Sequence, residues 1–227
     1  MEMRTNSIDK QINDIFAKMD FANHPLAVKI QKGELSKEQV KGWAKQWYHG
    51  FLGDADRWVA EAFVKCPVES MRRALILNAC EEALGVESKT DGHPVLFRKF
   101  VNELGISREE LEAEPLTPEA WASTLNFWTI REIPWYQFGA LFLTSESEIP
   151  LAYVKIMDGL KKHYGVSDEG NTFFRIHAAE VDEEHTATNL KVIREYVTSE
   201  RDREECIAIV QRTAGLIDSL MNVYQKY

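Results

Sequence analysis

From Ser7 to Lys226 apolar side chains recur at every third or fourth position, and no stretch alternates apolar and polar as a strand bounded by turn residues must. That regularity admits a helical fold and excludes one built on sheets. SIDKQINDIFAKMD puts Ile8, Ile12, Ile15 and Met19 on one stripe, with Ser7 placed as N-cap. A short helix after NHP runs to about Lys32 and stops at Gly33. SKEQ then offers a capping box, Ser36 with Gln39, opening a long helix to about Lys65. Residues 68–84 are apolar nearly all round at ALILNAC, the pattern of a central, buried helix. HPVLFRKFVNELG closes at Gly105, SREELEAE is short, and TPEAWASTLNFWTIRE carries Pro in its first turn. Helices near 134–164, 171–197 and 199–226 complete the chain. HPLAVKI followed by GELSKEQV is echoed by HPVLFRKF followed by LGISREEL, two histidine–proline starts that suggest an internal duplication. Linkers are short and no Pro/Gly/Ser-rich seam divides the chain, so residues 1–227 read as one all-α domain.

The bulk properties narrow the function. With 44% hydrophobic and 11% aromatic residues the chain can bury a full core, which removes disorder from consideration. A formal net charge of −9, a pI of about 5.3 and the lack of any Lys/Arg run argue against nucleic acid and anionic membranes as partners. No apolar run approaches the roughly 18–20 residues that cross a bilayer, and MEMRTNSIDKQ is too polar for a signal peptide. Cys66, Cys80 and Cys206 are odd in number and scattered, without a C-x-x-C, as expected of reduced thiols in a cytoplasmic protein.

The chemistry lies in ionisable residues placed where a helix should be apolar. A buried carboxylate must be neutralised, paired or bound to metal. Glu146 sits in the stripe Phe138, Phe142, Leu143, Ile149, Tyr153, and Pro150 cannot donate to its carbonyl, so the helix should loosen there. The other reading of SESEIP is a turn with exposed acids. Glu81 and Glu82 follow ALILNAC; at least one points inward or the pair marks a solvated helix end. His93 opens a helix, either as a cap or as a ligand. His24, His49 and His163 read as structural. In FFRIHAAEVDEEHTATN, Asp182-x-x-His185 has the i,i+3 spacing by which one helix face supplies two ligands, as in carboxylate-bridged di-iron bundles. His177 precedes Asp182 by five residues, which a regular helix would turn away by about 140°. A π-bulge would bring both to one face. Glu81, His93, Glu146, His177, Asp182 and His185 then form a mixed oxygen and nitrogen set suited to iron or manganese, with zinc as the non-redox alternative. Three carboxylates against two Fe(II) leave a net charge of +1, consistent with open positions. Trp43, Trp47, Tyr48, Phe51 and Trp58 fall mainly at 3–4 spacing and offer an aromatic wall.

These residues resemble the heme-oxygenase-like di-iron oxidases and oxygenases over nearly the whole chain. HPLAVKIQKGELSKEQVKGWAKQWYHG, NACEEALG, HPVLFRKFVNELGISREELEAEP, SESEIP and FFRIHAAEVDEEH carry the likeness. The resemblance implies a compact bundle of about seven core helices, and it places the ligands on Glu81, His93, Glu146, His177, Asp182 and His185. It further implies two iron ions, O2 as co-substrate, a small organic substrate in the bundle core and a homodimer, with Glu81, Glu146 and Tyr48 in catalytic roles. Two departures stand out. Four residues separate His177 from Asp182 where the family has three, so either a bulge absorbs one or Glu180 replaces His177. Para-aminobenzoate-forming members consume a tyrosine of their own beside a lysine; Ala27 and Ile156 occupy those places, which points to an externally supplied substrate. Tyr48, Tyr136 and Tyr153 are the substitutes at hand. The alternatives are a metal-free oxidase like pyrroloquinoline-quinone synthase C, a thiaminase-II-like hydrolase for which Cys80 is the one plausible nucleophile, and a non-enzymatic binding protein.

Overall fold

The computed structural model describes the backbone of residues 2–179 and 183–227 and the side chains of 8–178 and 187–227. Among the described residues there are thirteen α-helices and no strand. The expected caps are in place. Ser36 and Gln39 form a reciprocal capping box at the start of α3 (Lys37–Trp47), Oγ of Ser36 accepting from Gln39 N at 3.1 Å. Gly33 closes α2 (Pro25–Lys32) in the left-handed conformation, at φ 69°. His24 caps α2, its Nδ1 accepting from Leu26 N at 3.1 Å, while His49 Nε2 lies 2.7 Å from the carbonyl of Leu111. Both are structural, as expected.

The first helix, α1 (Glu2–Met19), begins before Ser7, since MEMRTN contains no Gly or Pro to stop it. The long helix expected from Ser36 to Lys65 is interrupted. After α3 the chain makes a π-turn over Tyr48–Leu52, with Gly53 N donating to Tyr48 O at 2.7 Å, and resumes as α4 (Ala55–Lys65). The extra residue rotates α4, so that Trp58 no longer shares a stripe with Trp43 and Trp47.

A larger correction concerns α5 (Glu69–Leu84), expected to be central. It lies at the edge, packed on α4 and α6 (His93–Glu103), with only Met71, Leu75, Ala79 and Glu81 buried. Leu77 is 44% and Leu84 64% exposed. Arg72 and Arg73 share this outer side, so apolar composition alone did not determine burial.

The rest of the bundle closes around aromatic rings. After α7 (Arg108–Ala113), α8 (Pro118–Trp128) packs on the π-turn and on α13 (Glu200–Met221). Helix α9 (Phe138–Ser147) lies between α12 (Glu183–Tyr196) and α13, and α10 (Ile149–His163) between α2 and α11 (Thr172–Ala179). Trp43, Trp47, Phe97, Phe100, Phe127, Phe138, Phe173 and Phe174 are wholly enclosed. The loosening expected at Glu146 is real: α9 ends at Ser147 and α10 begins at Ile149, with Glu148 at φ −105° and ψ −40° between them. No described helix is long and apolar enough to cross a membrane.

Candidate metal centre

A buried histidine and a half-buried one meet where α5, α6, α10 and α11 converge. Helix α5 ends at Gly85, φ 63°, and the loop after it folds back so tightly that a Cβ on Gly92 would lie 2.1 Å from the carbonyl oxygen of Ala83. Only glycine permits that approach, and it lays His93, the first residue of α6, across the two glutamates ending α5. His93 Nε2 stands 3.4 Å from Oε1 of Glu81 and its Nδ1 2.9 Å from Oε2 of Glu82. On α11, His177 brings its ring centroid to 4.5 Å from that of His93, in an edge-to-face arrangement.

The two glutamates have different work. Oε2 of Glu81 accepts from the backbone N–H groups of Glu87 at 2.6 Å and Ser88 at 3.2 Å, so this carboxylate is tied to the loop. Burial pushes its pKa up, but hydrogen bonds from Ser88 and from the Glu87 and Ser88 amides outweigh burial and hold it below the usual carboxylate range. Glu82, one residue on, continues the inward stripe Met71, Leu75, Ala79 and shares a cavity with His177. Among the described residues Glu82, His93 and His177 each bring one donor atom within 4.8 Å of the others. The resemblance had placed Glu81 in that position; the structure puts Glu82 there and Glu81 behind His93.

The charges suit a cation. Burial disfavours charge on His93, yet Glu82 and then Glu81 overcome it and push its pKa up to about 9. Burial, then the neighbouring His93, takes His177 down to about 4, so this imidazole is neutral at neutral pH. Its Nδ1–H donates to the carbonyl of Phe173 at 2.8 Å, which leaves Nε2 as the atom with a lone pair. The buried Nδ1 of His93 pairs with Oε2 of Glu82 at 2.9 Å, and among the described residues no hydrogen bond of regular geometry accompanies that contact. One carboxylate oxygen and two imidazole nitrogens gathered within 4.8 Å of one another are a mixed donor set of the kind that a divalent cation takes. The residues present therefore fit a divalent metal.

The other expected residues divide. Glu146 reaches the same cavity, which Glu82, Ser145, Glu146, Tyr153 and His177 line at its polar end. Phe51, Trp58, Phe127 and Phe142 are among those that form the apolar body. It has about 50 Å³ of room for the centres of water-sized molecules, several times the roughly 10–15 Å³ that one water needs. A second, smaller cavity between α5, α9 and α12 also borders Phe142 and Glu146, so this turn of α9 separates the two. Asp182, and with it the bulge expected between His177 and Asp182, lies outside the described residues; His185 falls within α12, but its side chain is likewise outside them. Tyr48 does not border the cavity: its hydroxyl accepts from Arg98 at 2.7 Å and its ring stacks on Phe97. The tyrosine at the site is Tyr153, 2% exposed, with its ring 5.8 Å from His177; burial raises its pKa. Its place in the Phe142–Glu146–Ile149–Tyr153 stripe was the available signal. Ala27 and Ile156 are fully buried.

The sequence profile of a family described as iron-containing redox enzymes matches residues 41–217. The chain belongs to the iron-containing redox enzyme family. A 4-aminobenzoate synthase from Chlamydia pneumoniae is 27% identical to it over 222 residues that cover 97% of this chain and 92% of the relative. A pyrroloquinoline-quinone synthase from Pseudomonas aeruginosa is 24% identical over 217 residues, covering 88% and 79%. Among solved structures, a TenA homologue from Pseudomonas syringae pv. tomato superposes with a TM-score of 0.80 at 14% identity, covering 98% of this chain and 92% of that one. At that identity the likeness speaks for the fold alone, and the fold is the heme-oxygenase-like all-α arrangement the resemblance implied.

Proposed function

We propose that this protein is a non-heme di-iron oxygenase or oxidase that uses O2 to oxidise a small organic molecule held in the aromatic cavity. The observation that carries the reading is the cluster of Glu82, His93 and His177 donor atoms beside that cavity, in a chain whose family is iron-containing. Glu82, His93 and His177 would hold metal, with Glu146 facing the same space and Asp182 and His185 completing the set by resemblance. Glu81 is assigned to His93: its Oε1, 3.4 Å from Nε2, would accept a hydrogen bond from Nε2–H and leave the Nδ1 lone pair for a metal. Bound iron supplies electrons to O2 and open coordination positions. The protein supplies orientation and dryness. Phe51, Trp58, Phe127 and Phe142 exclude water from the apolar part of the cavity, and the Tyr153 phenol beside His177 can hold a proton there.

Some relatives are 4-aminobenzoate synthases. With Ala27 and Ile156 at the tyrosine and lysine places, the substrate here is supplied from outside rather than taken from the chain. Anaerobic reconstitution tests the reading. About two iron ions per chain are expected, falling in Glu146→Gln and in Glu82→Gln, with O2 uptake and a transient visible absorption on exposure to air. Tight binding of zinc alone with no O2 consumption would overturn it.

A further inference from the structure

Two tryptophans connect the candidate centre with the surface, and they differ in one respect that matters for electron transfer. Trp58 on α4 is 2% exposed and lines the cavity together with Glu82, Glu146 and His177. Its ring stacks on Phe127 at 4.4 Å and meets the edge of Trp128 at 6.4 Å and 89°. Trp128, the last residue of α8, is half-buried. Among the described residues the buried indole N–H of Trp58 has no hydrogen-bond partner, whereas that of Trp128 donates to Oδ2 of Asp54 at 3.2 Å.

We propose that Trp58 and Trp128 form a one-electron relay between the cavity and the surface, with Asp54 as proton acceptor for the Trp128 indole. The proposal rests on the di-iron reading, since O2 activated in the cavity is the source of oxidising equivalents. Loss of one electron makes an indole N–H strongly acidic. Trp58 has no acceptor for that proton, so its oxidised form stays a cation in an apolar wall and is costly to maintain. Trp128 can pass its proton to Asp54 and become a neutral radical, so the oxidised state settles outward. The guanidinium of Arg131, 4.0 Å from the centroid of the Trp128 ring, would oppose oxidation, but Glu61 at 2.7 Å offsets its charge. Arg57 occupies the other oxygen of Asp54 at 2.9 Å and leaves Oδ2 to the indole. The other two tryptophans near the cavity, Trp47 and Trp43, are fully enclosed.

The step balances. One electron passes from Trp58 to an acceptor in the cavity, and one from Trp128 to Trp58. The Trp128 Nε1 proton goes to Asp54. A small thiol in solution returns an electron to Trp128, becoming a thiyl radical after loss of its own proton, and Asp54 returns the indole proton. The net change is one thiol oxidised and one electron delivered inward. Without a thiol, a second electron passes inward from the Trp128 radical, water adds to the oxidised ring with loss of a proton, and the residue gains one oxygen atom.

Peptide mass mapping tests this. Fe(II)-loaded protein is exposed to O2 without thiol or organic substrate, with iron content and O2 uptake measured on the same samples. Oxygen should accumulate on Trp128 several-fold over Trp121, which is 53% exposed and therefore reports diffusible oxidants. Trp58→Phe should lower Trp128 oxidation at least fivefold, and Asp54→Asn should lower it as well. Iron binding and O2 uptake with Trp128 oxidised no more than Trp121, or unchanged in Trp58→Phe, would overturn the relay; absence of iron and O2 uptake would instead count against the di-iron reading. A metal-free arm decides the relay in that event. In a Trp121→Phe background, flash oxidation by a ruthenium polypyridyl complex should give a neutral indolyl radical. The same flash should give its cation in Asp54→Asn and several-fold less of either in Trp128→Phe. Equal yields with and without Trp128 would overturn the relay whether or not iron binds.

Discussion

The pair Glu81 and Glu82 gives the most searching test of the site, because one oxygen-to-amide change in each should act through different physics. In Glu81→Gln the side-chain oxygen must remain on the Glu87 and Ser88 amides, which approach at 2.6 and 3.2 Å and can only donate. The new NH2 group then faces Nε2 of His93 and donates to it. That moves the ring proton to Nδ1, the atom 2.9 Å from Glu82, where it blocks ligation. Turning the amide over restores the ligating tautomer but strands a buried backbone N–H, at about 1–3 kcal/mol. Metal affinity should therefore fall about 10–100-fold, the range seen when a residue behind a ligating histidine is lost. Glu82→Gln removes an anionic donor outright, and its loss should exceed about 100-fold. Anaerobic competition titration with a chromophoric chelator, using Mn(II) and Fe(II), measures both. A larger loss in Glu81→Gln than in Glu82→Gln would refute the division of labour and return the ligand role to Glu81.

Three further outcomes follow from the geometry. Burial, together with Asp202 and Glu205, pushes the Cys206 thiol up to about 12, so at pH 8 roughly one molecule in ten thousand carries the thiolate; brief iodoacetamide treatment of native protein should label half-exposed Cys80 and spare Cys206, as read by peptide mass. Gly159→Ala would place a Cβ 2.1 Å from the carbonyl oxygen of Ile30 where α10 crosses α2, and should cost about 3 kcal/mol, lowering Tm by roughly 6–12 °C in calorimetry. Lys65→Met removes an ammonium that donates to the carbonyls of Ile130, Arg131 and Ile133 at 2.8, 3.0 and 2.5 Å; a loss of about 1–3 kcal/mol is expected in urea unfolding, and an unchanged midpoint would remove Lys65 from the account.

What could be read in the chain and what could not divides along a physical line. Local signals were sufficient where the cause is local: Ser36 with Gln39, Gly33 after Lys32, and Pro150 four residues after Glu146 each determine a backbone event within one turn. The approach of His93 to the end of α5 was legible as a histidine opening a helix after a glycine-bearing loop. The choice between Glu81 and Glu82 was not. Consecutive residues point about 100° apart, and an imidazole laid across the helix end can touch both. The choice is made by loop amides that only tertiary folding delivers to Glu81. Tyr48 is one of three tyrosines that the sequence offers for the site, but it opens the π-turn, and its hydroxyl goes to Arg98 and not to the cavity. The edge position of α5 is the same lesson in reverse, since burial depends on neighbours that composition does not name.

The break at Glu148 bears on how the site can move. In an unbroken helix, shifting one turn relative to the next stretches hydrogen bonds, and the stiffness of the rod resists it. Here Pro150 has already removed the bond from the carbonyl of Glu146, and Leu151 N turns back to Glu148 O at 3.3 Å instead. The final turn of α9, carrying Ser145 and Glu146, thus joins α10, which carries Tyr153, through a turn at Glu148 that interrupts the regular helix. Flexure at this joint moves a carboxylate against a phenol without unzipping either helix. The joint between the carboxylate and the phenol that face the cavity is a single backbone residue, Glu148.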